Sequence, residues 1–362
     1  MKSLLQSVAK TAIKTVSRNW KPYSHLIMYG DSVGWSLDWD MRELADISRK
    51  LGIKLARPHW KHAAAPQSIF FASQFFLLEN DWERFLPNRI GFSYFHGIPN
   101  SGDNEFDTIY DALKQHHEKL TRIQVSHTAM RDIVLTTGID PSKVFLIPIG
   151  INLQFFSFRS IKMKRDARMK LNLPASAFVI GSFQKDGMGW GDGMEPKLIK
   201  GPDVFVEVMK RLKREIPELV VLLSGPARGY VKQKLEEAEI SYRHVYLKSY
   251  PEIAELYQAL DLYVVSSRQE GGPKAILESM ASGVPLVTTK VGQAMDLVKH
   301  GENAFMTAVE DVEALASCAL QVYRSSQVDL KLILESGRKT AEANSYESQI
   351  PLWAEFMKGF VE

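Results

Sequence analysis

The sequence predicts an α/β protein of two open, mostly parallel sheets whose strand ends open toward a cleft. Three observations carry this. The chain has 362 residues, too many for one ordinary domain and comfortable for two. Hydrophobic residues make up 45% and charged residues 24%, the balance of a globular protein with real cores. Short apolar runs alternate with amphipathic helical patterns in two series separated by a basic break, as parallel sheets with covered faces require.

In the first series, "HLIMYG" (His25–Gly30) predicts a buried strand, "SLDWDMRELADISRKLG" a helix stopped by Gly52, and "IKLARP" a new strand. "QSIFFASQFFLL" and "RIGFSYFHG" are further apolar runs. "DTIYDALKQHHEKLTRI" is helical, and "QVSHTAMRDIVLTTGIDPSKVFLIPIG" reads strand, helix, turn, strand. The basic stretch Ile151–Pro174 interrupts the alternation and is expected to be the linker and entry to a second unit. There "FVIGSF", "LVVLLSG", "RHVYLKS", "DLYVVSS" and "GVPLVTT" predict strands, with helices between them and over "DVEALASCALQVYRSS". "QIPLWAEFMKGFVE" closes the chain as a short amphipathic helix. The expected divisions are 1–20, 21–152, 153–345 and 346–362.

Composition excludes several function classes. A formal net charge of +3 and a pI of about 8.7 argue against nucleic acid as a partner. One cysteine excludes a disulfide framework and a cysteine zinc site. No run approaches the roughly 18 apolar residues of a membrane span, and the N-terminus lacks the apolar core of a secretory signal. Residues 1–20 place Leu4, Leu5, Val8, Ala12, Ile13 and Val16 at helical spacing, with Lys2, Lys10, Lys14 and Arg18 opposite. This predicts a basic amphipathic helix, lying either on an anionic membrane or on the protein itself.

Chemistry concentrates in "SSRQEGGPKAILESMASGVPLVTT" (Ser266–Thr289). A buried strand delivers Glu270 to a loop. Gly271 and Gly272 allow a ligand close to the backbone. Pro273 suits the first position of a helix and Gly283 its stop, so the helix is expected over Pro273–Ser282. Its free N–H groups and positive end make an anion site, with Lys274 at the mouth. Glu270 is unsuited to phosphate and suited to sugar hydroxyls. Glu278, one turn in, is placed to reach a ribose diol. The alternative is a packing unit with a surface Lys274–Glu278 pair, which adds only about 0.3 kcal/mol.

Glu270, Glu278 and the following "MASGVPLVTT" resemble the GT4-type retaining glycosyltransferases of the group 1 family, as does "VGQAMDLVKHGENAFM", although Gln293 stands at a family glycine and Asp296 at the glutamate. The resemblance covers the second half and extends more loosely to the first. It implies the GT-B fold: two Rossmann-like domains facing an interdomain cleft, with the C-terminal helix crossing back to the first domain. It implies that basic residues in "GSFQKDGMGWGDGMEPKLIKGPDVF" grip a donor diphosphate. Ser182 stands at the family arginine, so Lys185 is expected to replace it, and Lys200-Gly201 matches the family Lys-Gly. The loop is expected to be mobile. Base contacts are implied around Lys248–Tyr250, largely through the backbone. "YGDSVGWSL" resembles the family's first Gly-rich loop, placing Gly30 and Gly34 at the ligand. His96 ends a strand where related enzymes carry a histidine near the reacting sugar; a structural role is the alternative. Asp38 and Asp40 imitate a metal-binding D-x-D but fall in a helical pattern and are read as structural.

What the resemblance implies for function is transfer of a hexose, with retention, from a nucleotide diphosphate sugar to a glycan or lipid-linked acceptor. No metal or further cofactor is expected. The leaving diphosphate would take the acceptor's proton on one face, with Glu270 orienting sugar hydroxyls. The expected setting is the cytoplasm, with residues 1–20 as a peripheral membrane contact. The substituted Ser182, Gln293 and Asp296 leave one rival: a non-catalytic scaffold or nucleotide-sugar binding subunit on the same fold.

Overall fold

The computed structural model describes residues 21–30, 36–57, 65–79 and 81–362. The amphipathic segment 1–20 and Gly34 lie outside them. The chain forms two compact units: one holds the described residues up to Pro148 together with Gln349–Glu362, the other is Ile149–Ser348. The changeover expected after Asn152 falls after Pro148 because the intervening residues bond into the second unit. Ile149 N–H donates to Gln293 Oε1 at 2.9 Å, and Ile151 N–H to Asn344 O at 3.3 Å. Tyr346 N–H returns to Ile151 O at 3.1 Å, which keeps Tyr346 there and starts the final segment at Gln349.

In the first unit, β1 (Leu26–Tyr29), β2 (Leu55–Ala56), β3 (Ser68–Phe71), β4 (Arg89–Tyr94), β5 (Arg122–Val125) and β6 (Val144–Leu146) form one parallel sheet in the order β2-β1-β3-β4-β5-β6. The apolar run "QSIFFASQFFLL" divides: only Ser68–Phe71 is strand. Ser73 Oγ then accepts from Phe75 N–H and caps a 3-10 helix, Gln74–Leu78. On one face, Ile69, Phe92 and Ile123 meet Ile109, Leu113, Met130 and Val134 from helices Asn104–His116 and Thr128–Leu135. The other face is covered by the C-terminal helix Ile350–Met357. Phe70 meets Trp353 and Phe356 edge-on, with centroids 5.9 and 5.6 Å apart.

In the second unit, β7 (Phe178–Ser182), β8 (Leu219–Ser224), β9 (Ser241–Val245), β10 (Leu262–Val265), β11 (Leu286–Thr289) and β12 (Phe305–Thr307) are again all parallel, ordered β12-β11-β10-β7-β8-β9. Both faces of β7, β8, β10 and β11 are buried, so these strands are largely apolar rather than alternating, whereas the edge strand β9, Ser-Tyr-Arg-His-Val, is partly exposed and polar. Val179 and Leu222 face the core formed with helices Ile253–Ala259 and Lys274–Ser282. Their neighbours Ile180 and Val221 face helices Pro202–Glu215 and Val312–Arg324. The stretch Ile151–Pro174, expected as a linker, is part of this core. Phe156 is fully buried, and helix Ile161–Lys170 holds Asp261 through Lys164 and Arg168. Helix Gln327–Ala343 was not expected. A capping box of Ser326 and Asp329 starts it, but its exposed Val328 and Leu332 blur the apolar stripe. Among the described residues, no helix is long and apolar enough to cross a membrane.

Candidate functional site

The second sheet reverses its winding between β7 and β10. The helix that follows β7 covers one face and the helix that follows β10 covers the other, so the chain diverges there and leaves a crevice at the carboxyl ends. β7 ends at Ser182 and leads into the loop carrying Lys185 and Lys200. β10 ends at Val265 and leads into Ser266–Glu270. These two loops meet. Ser266 Oγ donates to Gly201 O at 2.9 Å, and Arg268 N–H to Ile199 O at 2.8 Å. The Arg268 side chain reinforces the join. It donates to Leu198 O at 2.8 Å and pairs with Asp203 at 2.8 Å and Glu310 at 2.6 Å. That pairing holds the Asp203 carboxyl below the usual range.

The joined loops bring Lys200 Nζ to 2.6 Å from Glu270 Oε2, with side chains 22% and 10% exposed. A pair this shielded is screened less than a surface pair. Ser267 Oγ donates to Glu270 Oε1 at 2.9 Å, and Gln184 Nε2 donates to Lys200 O at 2.8 Å. Glu270 is thus held at both oxygens. Lys200 has three donors, so a phosphate oxygen can share it with the carboxylate.

Beside Glu270, Gly271 is buried and Gly272 half-buried. The helix begins at Lys274, not Pro273. Pro273 is the N-cap with ψ 115° and gives the helix no side-chain cap. The N-terminal end of this nine-residue helix therefore carries positive potential. Lys274 Nζ lies 5.0 Å from the Tyr250 ring centre and 3.3 Å from Tyr346 Oη.

Glu278 is not at the surface. It is 3% exposed and accepts from Tyr250 Oη and from Tyr257 Oη at 2.9 Å. Burial, then the Glu278 charge, push the Tyr257 hydroxyl well above its ordinary pKa, so it stays a proton donor. Both tyrosines were missed as partners of Glu278, although Tyr250 lies in the stretch expected to contact the base. Replacing Tyr257 with phenylalanine would leave a buried carboxylate short of a donor, for an expected loss of about 1–3 kcal/mol. Urea unfolding checks this; an unchanged midpoint would mean that Glu278 has no need of that hydroxyl.

The loop Lys185–Lys197, expected to be mobile, is a pinned hairpin. Met188 N–H donates to Glu195 O and Lys197 N–H to Asp186 O, each at 2.8 Å. Asp192 O and Gly193 O accept from Gly229 and Tyr230 N–H, at 2.6 and 3.0 Å, so the loop caps the helix Gly229–Glu237. An arginine does reach Ser182, but from a distant position. Arg228 donates to Ser182 O at 2.6 Å and Ser182 Oγ at 3.1 Å, and pairs with Asp186 at 2.9 Å, both side chains fully buried. Burial raises the Asp186 carboxyl pKa while Arg228 opposes the shift. Lys185 lies over the Trp190 ring, 3.9 Å from its centre.

In the first unit, Gly30 follows β1 at that sheet's own reversal, between β1 and β3. His96 follows β4. Its ring meets Phe106 and Phe75 edge-on at 5.4 and 5.8 Å, and Gln74 Nε2 donates to His96 O at 2.8 Å. Asp38 and Asp40 lie on the helix Ser36–Lys50.

Three comparisons bear on this arrangement. The profile of the glycosyl transferases group 1 family matches residues 195–336, which contain Lys200, Glu270 and Glu278. The lipopolysaccharide core biosynthesis mannosyltransferase LpsB of Rhizobium meliloti is 33% identical over 129 residues, 33% of this chain and 37% of that protein. The UDP-Gal:alpha-D-GlcNAc-diphosphoundecaprenol alpha-1,3-galactosyltransferase of Escherichia coli is 26% identical over 209 residues, 56% of this chain and 51% of that one. The chain thus spans about a third to a half of these relatives. In structure it resembles HepE of Anabaena, solved with UDP and glucose, at a TM-score of 0.76 and 17% identity over 93% of this chain and 99% of that one. Sucrose-phosphate synthase of Thermosynechococcus elongatus gives 0.74 and 16% over 93% and 98%. The fold is GT-B. The second unit carries the match to the glycosyl transferases group 1 family, over residues 195–336.

Proposed function

We propose that the chain is a glycosyltransferase of the GT4 type that takes a hexose from a nucleotide diphosphate sugar and passes it, with retention, to a glycan or lipid-linked acceptor. One observation carries the reading: Lys200 and Glu270 pair at the reversal of the second sheet, beside the N-terminal end of the helix Lys274–Ser282. The names of the relatives support the same class of chemistry, and a neighbour of the same fold was solved with UDP and glucose.

In this reading the donor diphosphate lies at the start of helix Lys274–Ser282, against Gly272 and Lys200. The bond from the anomeric carbon to the phosphate oxygen breaks, and the diphosphate leaves with the electron pair. The acceptor hydroxyl bonds to that carbon from the same face and gives its proton to the departing phosphate. The helix end and Lys200 stabilise the growing negative charge without reorganising, the largest single source of catalysis in many enzymes. Glu270, neutralised by Lys200, accepts hydrogen bonds from the sugar. His96 and Gly30 serve the sugar and acceptor side. The scheme uses no metal and no cofactor beyond the donor.

The test is a thermal-shift series with UDP, GDP, ADP and their sugars on the wild type and on Lys200→Ala. A ligand that binds only the native state at 100 times its Kd adds about 2.7 kcal/mol. One nucleotide is expected to raise the melting temperature of the wild type, with a smaller rise in the variant. No rise with any nucleotide would remove the donor site and favour the scaffold reading, which Ser182, Gln293 and Asp296 keep open.

A further inference from the structure

The Gly271–Gly272 turn is closed on one side by the loop that follows β11. A Cβ on Gly292 would stand 2.5 Å from Gly271 O and 2.8 Å from Glu270 O, so this loop lies directly on the turn. The next residue, Gln293, is fully buried. Its backbone N–H donates to Gly271 O at 3.2 Å, and its side-chain Oε1 accepts from Ile149 N–H at 2.9 Å. The second bond fixes the amide orientation, because only the oxygen can accept from an N–H. Nε2 therefore faces away from Ile149, and this buried amine has no partner among the described residues. The amide oxygen and carbon lie 3.0 and 3.1 Å from where a Cβ on Gly272 would stand. The Ile149 side chain comes nearer still, at 2.7 Å, so the amide packs beside Ile149 against the half-buried turn that opens the helix Lys274–Ser282.

An unpaired buried donor costs about 1–3 kcal/mol. The bond to Ile149 accounts for the oxygen of this side chain and not for its amine, and the family pattern places a glycine here. We propose that Gln293 is a donor-binding residue whose Nε2 donates to an oxygen of the diphosphate lying against Gly272. The inference rests on the donor-site reading above. The side chain does two jobs: Oε1 ties the turn to Ile149, and Nε2 serves the ligand.

The test is titration calorimetry with UDP, GDP and ADP on the wild type, followed by the nucleoside of whichever diphosphate binds. Gln293→Met removes the donor and the tie to Ile149. Gln293→Glu keeps an acceptor for Ile149 and removes the donor, which protects the test if the methionine variant folds poorly. Diphosphate affinity is expected to fall about tenfold in Gln293→Met, the loss of one hydrogen bond to a charged group. It is expected to fall further in Gln293→Glu, where the introduced charge repels phosphate, while nucleoside affinity stays unchanged in both. Equal losses for diphosphate and nucleoside, or no loss at all, would overturn the assignment. Lys200→Ala separates the two readings. If it weakens the diphosphate and the Gln293 variants do not, only Gln293 fails. If the wild type binds none of the three diphosphates, the donor site fails and the Gln293 assignment with it.

Discussion

Glu270→Gln is expected to lower kcat by about 10² to 10³, the usual effect of removing one preorganised polar group from a transition-state site, while the protein stays folded. Glutamine keeps the shape and one acceptor, so Ser267 Oγ retains a partner at the position it now occupies 2.9 Å from Glu270 Oε1. What disappears is the charge that Lys200 meets at 2.6 Å. Alanine is a poorer choice, because it strands a shielded ammonium, and breaking such a pair costs about 3–5 kcal/mol when fully buried. Release of nucleoside diphosphate from the donor identified by thermal shift, with the melting temperature measured alongside, reads the two effects separately. Turnover near that of the wild type in a folded variant would remove Glu270 from the mechanism.

Gly201→Ala is expected to be the most destabilising small change near the site. Gly201 joins Lys200 to the helix Pro202–Glu215 with φ 62° and ψ 41°. A Cβ there would stand 2.0 Å from the backbone oxygen of Ser266, and neither backbone can move without parting the loops that place Lys200 and Glu270. The left-handed conformation costs a residue with a Cβ about 1–2 kcal/mol, and overpacking adds about 1–3 kcal/mol. A fall in melting temperature of roughly 5–15 °C follows for a unit of this size. Gly301→Ala is the control: φ is 77°, but nothing lies within 4 Å of its Cβ position, so it carries only the backbone cost. Equal shifts in the two variants would show that the clash at Ser266 is relieved.

The sequence alone determined those features whose causes lie within a few turns of chain. Strands at Phe178–Ser182, Leu219–Ser224 and Leu262–Val265 follow from unbroken apolar runs bounded by glycine or polar residues. The strand–turn–helix around Glu270 follows from the Gly-Gly-Pro sequence and the glycine at 283, and only the first helical residue moved, from Pro273 to Lys274. The helix Gln327–Ala343 escaped because its stripe is broken by exposed apolar residues. The basic break at Ile151–Pro174 misled because its cations are spent on Asp261 and its aromatic Phe156 on the core.

Tertiary structure decided which side chains meet. Lys200 and Glu270 are 70 residues apart and pair only because β7 and β10 are neighbours, an order that no local pattern records. The same strand order sends Arg228 to Ser182, 46 residues away. It also buries Glu278 beneath two tyrosines that lie 21 and 28 positions upstream. Periodicity names the face a residue occupies. The partner across that face is set by which strands and helices pack together, and that is a property of the whole unit.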